Sequence, residues 1–240
     1  GIAGSPAPEM REVDLRIDDL AADLLAWAQW SREAGITGPL YFVGHSEGAL
    51  VSLIAATAPG DDGLLAAAPE VRERLAGVIT LAGAADRFDR LILSQLSSQF
   101  PSDGDVMRQA RTALEALAEG RTTDVVAPEL QAILRPSVQP YLISVIARDP
   151  LALAGALPVP LLAVGGGVDI QVPAGDADRL AEAAGDGRAL VLESMSHVLK
   201  QAEPGNPASQ NAAYSDPSVP LAEGLVEAIA EFIGETGSSG

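Results

Sequence analysis

The chain has 240 residues, 48% of them hydrophobic and 20% charged, the composition of a globular protein with one substantial core and not of a disordered segment. A formal net charge of −18 excludes nucleic acid and anionic membrane surfaces as electrostatic partners, since no basic stripe occurs along the chain. The absence of cysteine excludes disulfides, thiolate nucleophiles and zinc–thiolate sites together.

The first eight residues, GIAGSPAP, form a turn-rich loop with no strand ahead of it. Over 18–30 the apolar Leu20, Leu24, Trp27 and Ala28 recur at helical spacing, with Asp18, Asp19 and Asp23 early in the segment where they suit the helix dipole. Gly35 and Gly38-Pro39 end that helix. A strand follows over 40–43, LYFV, and stops at Gly44-His45-Ser46-Glu47-Gly48, after which a small, apolar segment continues as a helix to residue 58.

Residues 61–70 read as a loop, including the acidic pair Asp61-Asp62, and 75–81, LAGVITL, as a strand buried on both faces. From 86 to 157 only helical periodicity is found, over 88–99, 105–119, 128–134 and 137–147, broken by Pro101, Gly120, Pro136 and Pro150. So long an excursion between two strands is uncommon unless it covers something. A third strand over 159–164 runs into Gly165-Gly166-Gly167-Val168-Asp169. A helix over 174–184 and a fourth strand over 188–192 lead to Glu193-Ser194-Met195-Ser196-His197. Residues 204–220 read as a Pro, Ser and Asn-rich loop, 221–233 as a final amphipathic helix, and 236–240, TGSSG, as a linker remnant. Strands alternating with helices give the α/β class, with a mainly parallel sheet and helices on both faces.

The strand–turn–helix around G-H-S-E-G resembles the nucleophile elbow of the α/β-hydrolases, with Ser46 as nucleophile between Gly44 and Gly48. The glycines are expected to remove side chains that would collide in a strained turn. Ser46, Asp169 and His197 each follow a strand end, where parallel sheets carry their ligands and reactive groups, and they run in the chain order Ser, Asp, His that the family uses. The flanks G-x-x-D-x-Q-V-P and S-H-V-L-K are similar to the family's as well. The resemblance implies that Ser46 attacks a carbonyl carbon, His197 takes and returns its proton, and Asp169 orients the imidazole. It also implies that the backbone N–H of Glu47 supplies one oxyanion donor. His45 is the one competing base, expected to pack beside its strand, and Asp86 is the rival acid just past the second strand.

The resemblance divides the chain into a hydrolase core over 1–85 and 158–235 and a helical lid over 86–157. Leu91, Ile92, Leu96, Phe100, Leu142 and Ile146 of the lid either line an apolar acyl site or simply pack the lid to the core. The implied activity is serine hydrolysis of a small-molecule carboxylic ester through an acyl-enzyme, without cofactor or metal. Thioester, peptide and C–C bond hydrolysis remain open, and so does a weakly catalytic or purely binding role. The family's strands ahead of the elbow, with the loop carrying its second oxyanion donor, are not legible here, and the first residue is not Met. The sequence therefore leads one to expect that the first strands are absent, that the elbow strand has an open apolar edge, and that a second polypeptide or a second copy completes it. No apolar run reaches the roughly 20 residues that cross a bilayer, and without a signal-peptide pattern a cytoplasmic location is expected over secretion.

Overall fold

The computed structural model describes residues 11–57, 68–124 and 126–237. In chain order the elements are α1 (Ile17–Glu33), β1 (Leu40–His45), α2 (Glu47–Ala56), α3 (Pro69–Arg74), β2 (Leu75–Leu81), α4 (Phe88–Ser97) and α5 (Asp105–Ala118). There follow α6 (Gln131–Leu134), α7 (Gln139–Ile146), α8 (Pro150–Gly155), β3 (Leu161–Gly166), α9 (Asp176–Ala183), β4 (Gly187–Leu192), α10 (Pro207–Ser215) and α11 (Leu225–Thr236). The chain divides into two compact units, one of Gly1–Leu20 with Arg87–Arg148, the other of Ala21–Asp86 with Asp149–Gly240.

The second unit holds a sheet of four strands among the described residues, in the order β1-β2-β3-β4 and parallel throughout. β2 lies inside it, and all but one of its residues are buried, as a strand covered on both faces requires. On one face Ile79, Leu81, Leu162 and Val164 pack with Leu225 and Phe232 of α11. On the other, α2 packs on β1 and β2 while α9 packs on β3 and β4. α2 is apolar nearly all round, with Ala49, Leu53, Ile54, Ala55 and Ala56 buried, the composition of a helix enclosed by its surroundings.

The first unit is helical. Ile92, Leu96, Met107, Leu114, Leu117, Leu130, Leu134, Leu142 and Ile146 form its own core, with Phe100 packed against them. Four of the six residues that could have lined an acyl site, Ile92, Leu96, Leu142 and Ile146, are thus spent on this core, and Phe100 leans on it.

Three helices were not legible as such. α3, α8 and α10 all begin on proline, a residue that fits the first helical turn although it reads as a breaker. Asp149 caps α8 and Asn206 caps α10, each accepting two backbone N–H groups. Residues 204–220, read as a loop, therefore contain a helix. α8 belongs to the sheet unit, so the helical unit ends at Arg148 and not at 157. Thr236, read as linker, closes α11, and its Oγ1 bonds the Tyr41 hydroxyl at 2.9 Å. The Asp61-Asp62 pair, the first eight residues and the end of the TGSSG run lie outside the described residues.

Candidate active site

Ser46 follows β1 directly, with φ 54° and ψ −119°, a conformation that few side-chain-bearing residues adopt. The turn is held from both sides: Ser46 N–H donates to Leu81 O of β2 at 2.9 Å, and Ser46 O accepts from Ala49 N at 3.0 Å. A Cβ on Gly44 would lie 2.0 Å from the carbonyl oxygen of Gly48. Strand and helix come too close there for any side chain. Gly48 differs, because a Cβ built on it meets nothing within 4 Å. The collision expected of both glycines therefore falls on Gly44, and what Gly48 contributes to it is its backbone.

Asp169 lies three residues past β3. A Cβ on Gly166 would stand 2.3 Å from Met195 O, and one on Gly167 2.6 Å from Glu193 O. The glycine run is what lets the loop after β3 lie against the loop after β4. The Asp169 side chain is fully buried. Its Oδ1 accepts from Gln171 N at 2.7 Å and Val172 N at 3.0 Å, and its Oδ2 is 2.9 Å from His197 Nδ1.

His197 is 5% exposed and comes from the irregular segment after β4. That segment is fixed by Ser196, whose N–H and hydroxyl both donate to Lys200 O at 2.9 and 2.8 Å, and by the left-handed turn at Leu199, φ 65°. Nε2 of His197 is 2.9 Å from Ser46 Oγ. A carboxylate only accepts, so Nδ1 carries the proton and Nε2 receives the serine hydroxyl. The hydrogen bonds thus run from serine to imidazole to carboxylate, the order in which a hydroxyl is deprotonated for attack.

The other candidates are also placed. Asp86 pairs with Arg179 at 2.8 Å, as does the buried Asp176 at 2.9 Å. The hydrogen bond that Arg179 donates to Asp86, ahead of the one it donates to Asp176, raises the Arg179 pKa against the opposing effect of burial. The carboxylate on His197 is that of Asp169, and Asp86 serves an ion pair. Glu47 opens α2, so its N–H belongs to the first helical turn, where donors lack intrahelical partners. His45 does not pack quietly beside its strand: it is exposed, and its Nε2 lies 2.6 Å from the carbonyl oxygen of His197. Sequence carries no signal for that contact, because a backbone carbonyl 152 positions away has no residue signature.

Among the described residues no group of three or more His, Asp and Glu could hold a metal ion, and no helix is long and apolar enough to cross a membrane.

No protein-family model and no curated protein matches the sequence. Solved structures do. A thermophilic esterase from Thermogutta terrifontis superposes with a TM-score of 0.53 at 19% identity, over 98% of this chain and 77% of the esterase. Est1E from Butyrivibrio proteoclasticus, solved with ferulic acid bound, gives 0.54 at 14% identity over 94% of this chain and 71% of that one. A hydrolase from Pseudomonas aeruginosa PA01 gives 0.51 at 17%, over 97% and 76%. This chain has the α/β-hydrolase fold. Within the α/β-hydrolase fold, Ser46, Asp169 and His197 stand past the carboxyl ends of β1, β3 and β4 and meet in one hydrogen-bonded chain.

Proposed function

We propose that the protein is a serine hydrolase of small-molecule carboxylic esters, working through an acyl-enzyme on Ser46 without a metal or organic cofactor. The observation that carries this reading is the chain of two 2.9 Å hydrogen bonds from Ser46 Oγ through His197 to the buried Asp169. Ser46 Oγ attacks the ester carbonyl while His197 Nε2 takes its proton. Asp169 holds the imidazole in the required tautomer and stabilises its charged form. The tetrahedral oxyanion is met by the Glu47 N–H at the start of α2, where the helix dipole favours negative charge. Collapse of that intermediate passes the proton from His197 to the leaving alcohol. Water, activated by the same imidazole, then attacks the acyl-enzyme, and the acid leaves with Ser46 restored.

An alcohol leaving group asks least of this site, since the chain contributes one oxyanion donor at the turn itself. Where a second donor is missing, a loss of roughly 10²–10³ in rate follows, which activated esters tolerate better than amides. Thioester, peptide and C–C bond hydrolysis are the alternatives within the same chemistry. We assign the helical unit, Arg87–Arg148, the role of a lid, and the open side of β1 the role of a seat for a further strand from a second polypeptide or a second copy. Support for the latter is that β1 ends the sheet among the described residues and that Val43 is 49% exposed.

Hydrolysis of p-nitrophenyl acetate and butyrate by the purified chain, beside its Ser46→Ala and His197→Ala variants, tests the reading. Turnover in the parent that falls to background in both variants is the expected result. A folded parent with no turnover would favour a binding or assembly role, and turnover that survives Ser46→Ala would move the chemistry elsewhere.

A further inference from the structure

His197 sits in a segment without regular secondary structure, yet nearly every carbonyl around it is engaged. Ser194 O accepts from Ala202 N, Met195 O from Val168 N, Ser196 O from Leu199 N, Leu199 O from Ala222 N, and Lys200 O from Ser196. The carbonyl of His197 itself is reached by a side chain instead: Nε2 of His45, at 2.6 Å. A carbonyl can only accept, so His45 Nε2 carries a proton and donates. His45 ends β1 and immediately precedes Ser46. One hydrogen bond therefore ties the strand that carries the nucleophile to the backbone of the base, and the two imidazole rings lie 5.1 Å apart.

This bond differs in kind from the one between Ser46 Oγ and His197 Nε2. The latter exists while Ser46 is a free hydroxyl, and it holds the pair together for the first half of the reaction. Once Ser46 Oγ carries the acyl group it has no proton to donate, and that link is gone. The ring is then held by Asp169 alone, while Nε2 must face an incoming water at the acyl carbon. The His45 bond uses atoms that take no part in the chemistry, so it persists through the acyl-enzyme.

We infer that His45 is a positioning residue for the second half of the reaction, holding His197 in register with acylated Ser46 so that water is activated at the ester carbonyl. This rests on the serine-hydrolase reading above. It touches neither substrate nor the reacting atoms, and it acts through the backbone of His197. Misplacement of a reacting group by about 1 Å costs on the order of 10²-fold in rate, so loss of the bond is expected to slow deacylation by roughly ten- to hundredfold and acylation much less.

The test is pre-steady-state hydrolysis of p-nitrophenyl butyrate by the full chain and its His45→Ala, His45→Gln and His45→Phe variants, with Ser46→Ala in parallel. The glutamine amide can reach the place of Nε2 and donate; phenylalanine keeps the ring and cannot. The expected result is a burst of one equivalent of p-nitrophenol followed by slowed turnover in His45→Ala and His45→Phe, with steady turnover largely restored in His45→Gln. Equal deacylation in all four proteins would overturn the proposal, as would rescue by phenylalanine but not glutamine, which would make ring packing the cause. Should Ser46→Ala turn over like the parent, the hydrolase reading itself fails. A readout free of turnover is the low-field proton signal of His197 Nδ1–H: it is expected to persist in His45→Gln and to broaden in His45→Phe, and identical signals in both would likewise overturn the proposal.

Discussion

Three side chains drawn from three separate loops converge at Ser46, and each is placed by a different local device. Ser46 is lifted by a positive-φ turn, Asp169 is locked by two backbone N–H donors, and His197 is held by bonds to its backbone neighbourhood. Asp169→Asn is expected to lower kcat on the order of 10⁴-fold, because an amide that donates to Nδ1 would select the wrong tautomer. Asp86→Asn is expected to leave kcat within about twofold and to cost no more than about 1 kcal/mol, the worth of a half-exposed ion pair. Urea melts and esterase assays on the two variants separate these outcomes. Gly44→Ala is a third case: its Cβ would lie 2.0 Å from a backbone oxygen that cannot move aside. A loss of about 3 kcal/mol or more is expected, read as a lowered denaturation midpoint with activity falling alongside. The positions of Ser46, Asp169 and His197 were legible in sequence because each follows a strand end. The His45 contact was not, because its acceptor is a peptide carbonyl.

At the scale of elements, the limits of one strand followed directly from its apolar run, while β1, read over 40–43, continues to His45 and β3, read over 159–164, lies over Leu161–Gly166. β2 occupies the same seven residues, 75–81, that the sequence marks as a buried strand. The helices that escaped notice share a physical reason, a proline at the first helical turn preceded in α8 and α10 by an Asp or Asn cap, which reads as a break but is a start. The end of β2 also stores strain: Ala82 has φ 50° while its N–H donates to Val164 O at 2.8 Å. An alanine in the left-handed region costs about 1 kcal/mol or more relative to glycine. Ala82→Gly is therefore expected to stabilise the protein by about 1 kcal/mol, seen as a raised urea midpoint with an unchanged m-value. An unchanged or lowered midpoint would mean that the turn is not strained in solution.

For the whole molecule, the unusual feature is where the sheet ends. β1 reads as an interior strand, LYFVGH without a charged residue, yet among the described residues it pairs with β2 alone. Its two faces are unequal, since Phe42 is buried under the α2 side while Val43 on the other is 49% exposed. Tyr41 is the residue of that second face which meets α11, through its contact with Phe232. Such edges invite pairing with another strand, the ground for the partner proposed above. Val43→Lys, which places a charge on the open face, is expected to reduce any concentration-dependent association seen by native mass spectrometry without lowering the denaturation midpoint. Equal association in both proteins would place the contact elsewhere. The fold class could be read from one sequence because it depends on local runs and chain order, and the residues proposed to react were named from the same two features. What pairs with the open side of β1 is set neither by local runs nor by chain order.

The most direct test of the account is labelling with a fluorophosphonate, which reacts with a serine only when a neighbouring base has activated it. The folded chain should take up one equivalent, mapped by peptide mass to Ser46, with uptake abolished in His197→Ala. Label on a different serine, or undiminished labelling of Ser46 without His197, would contradict it.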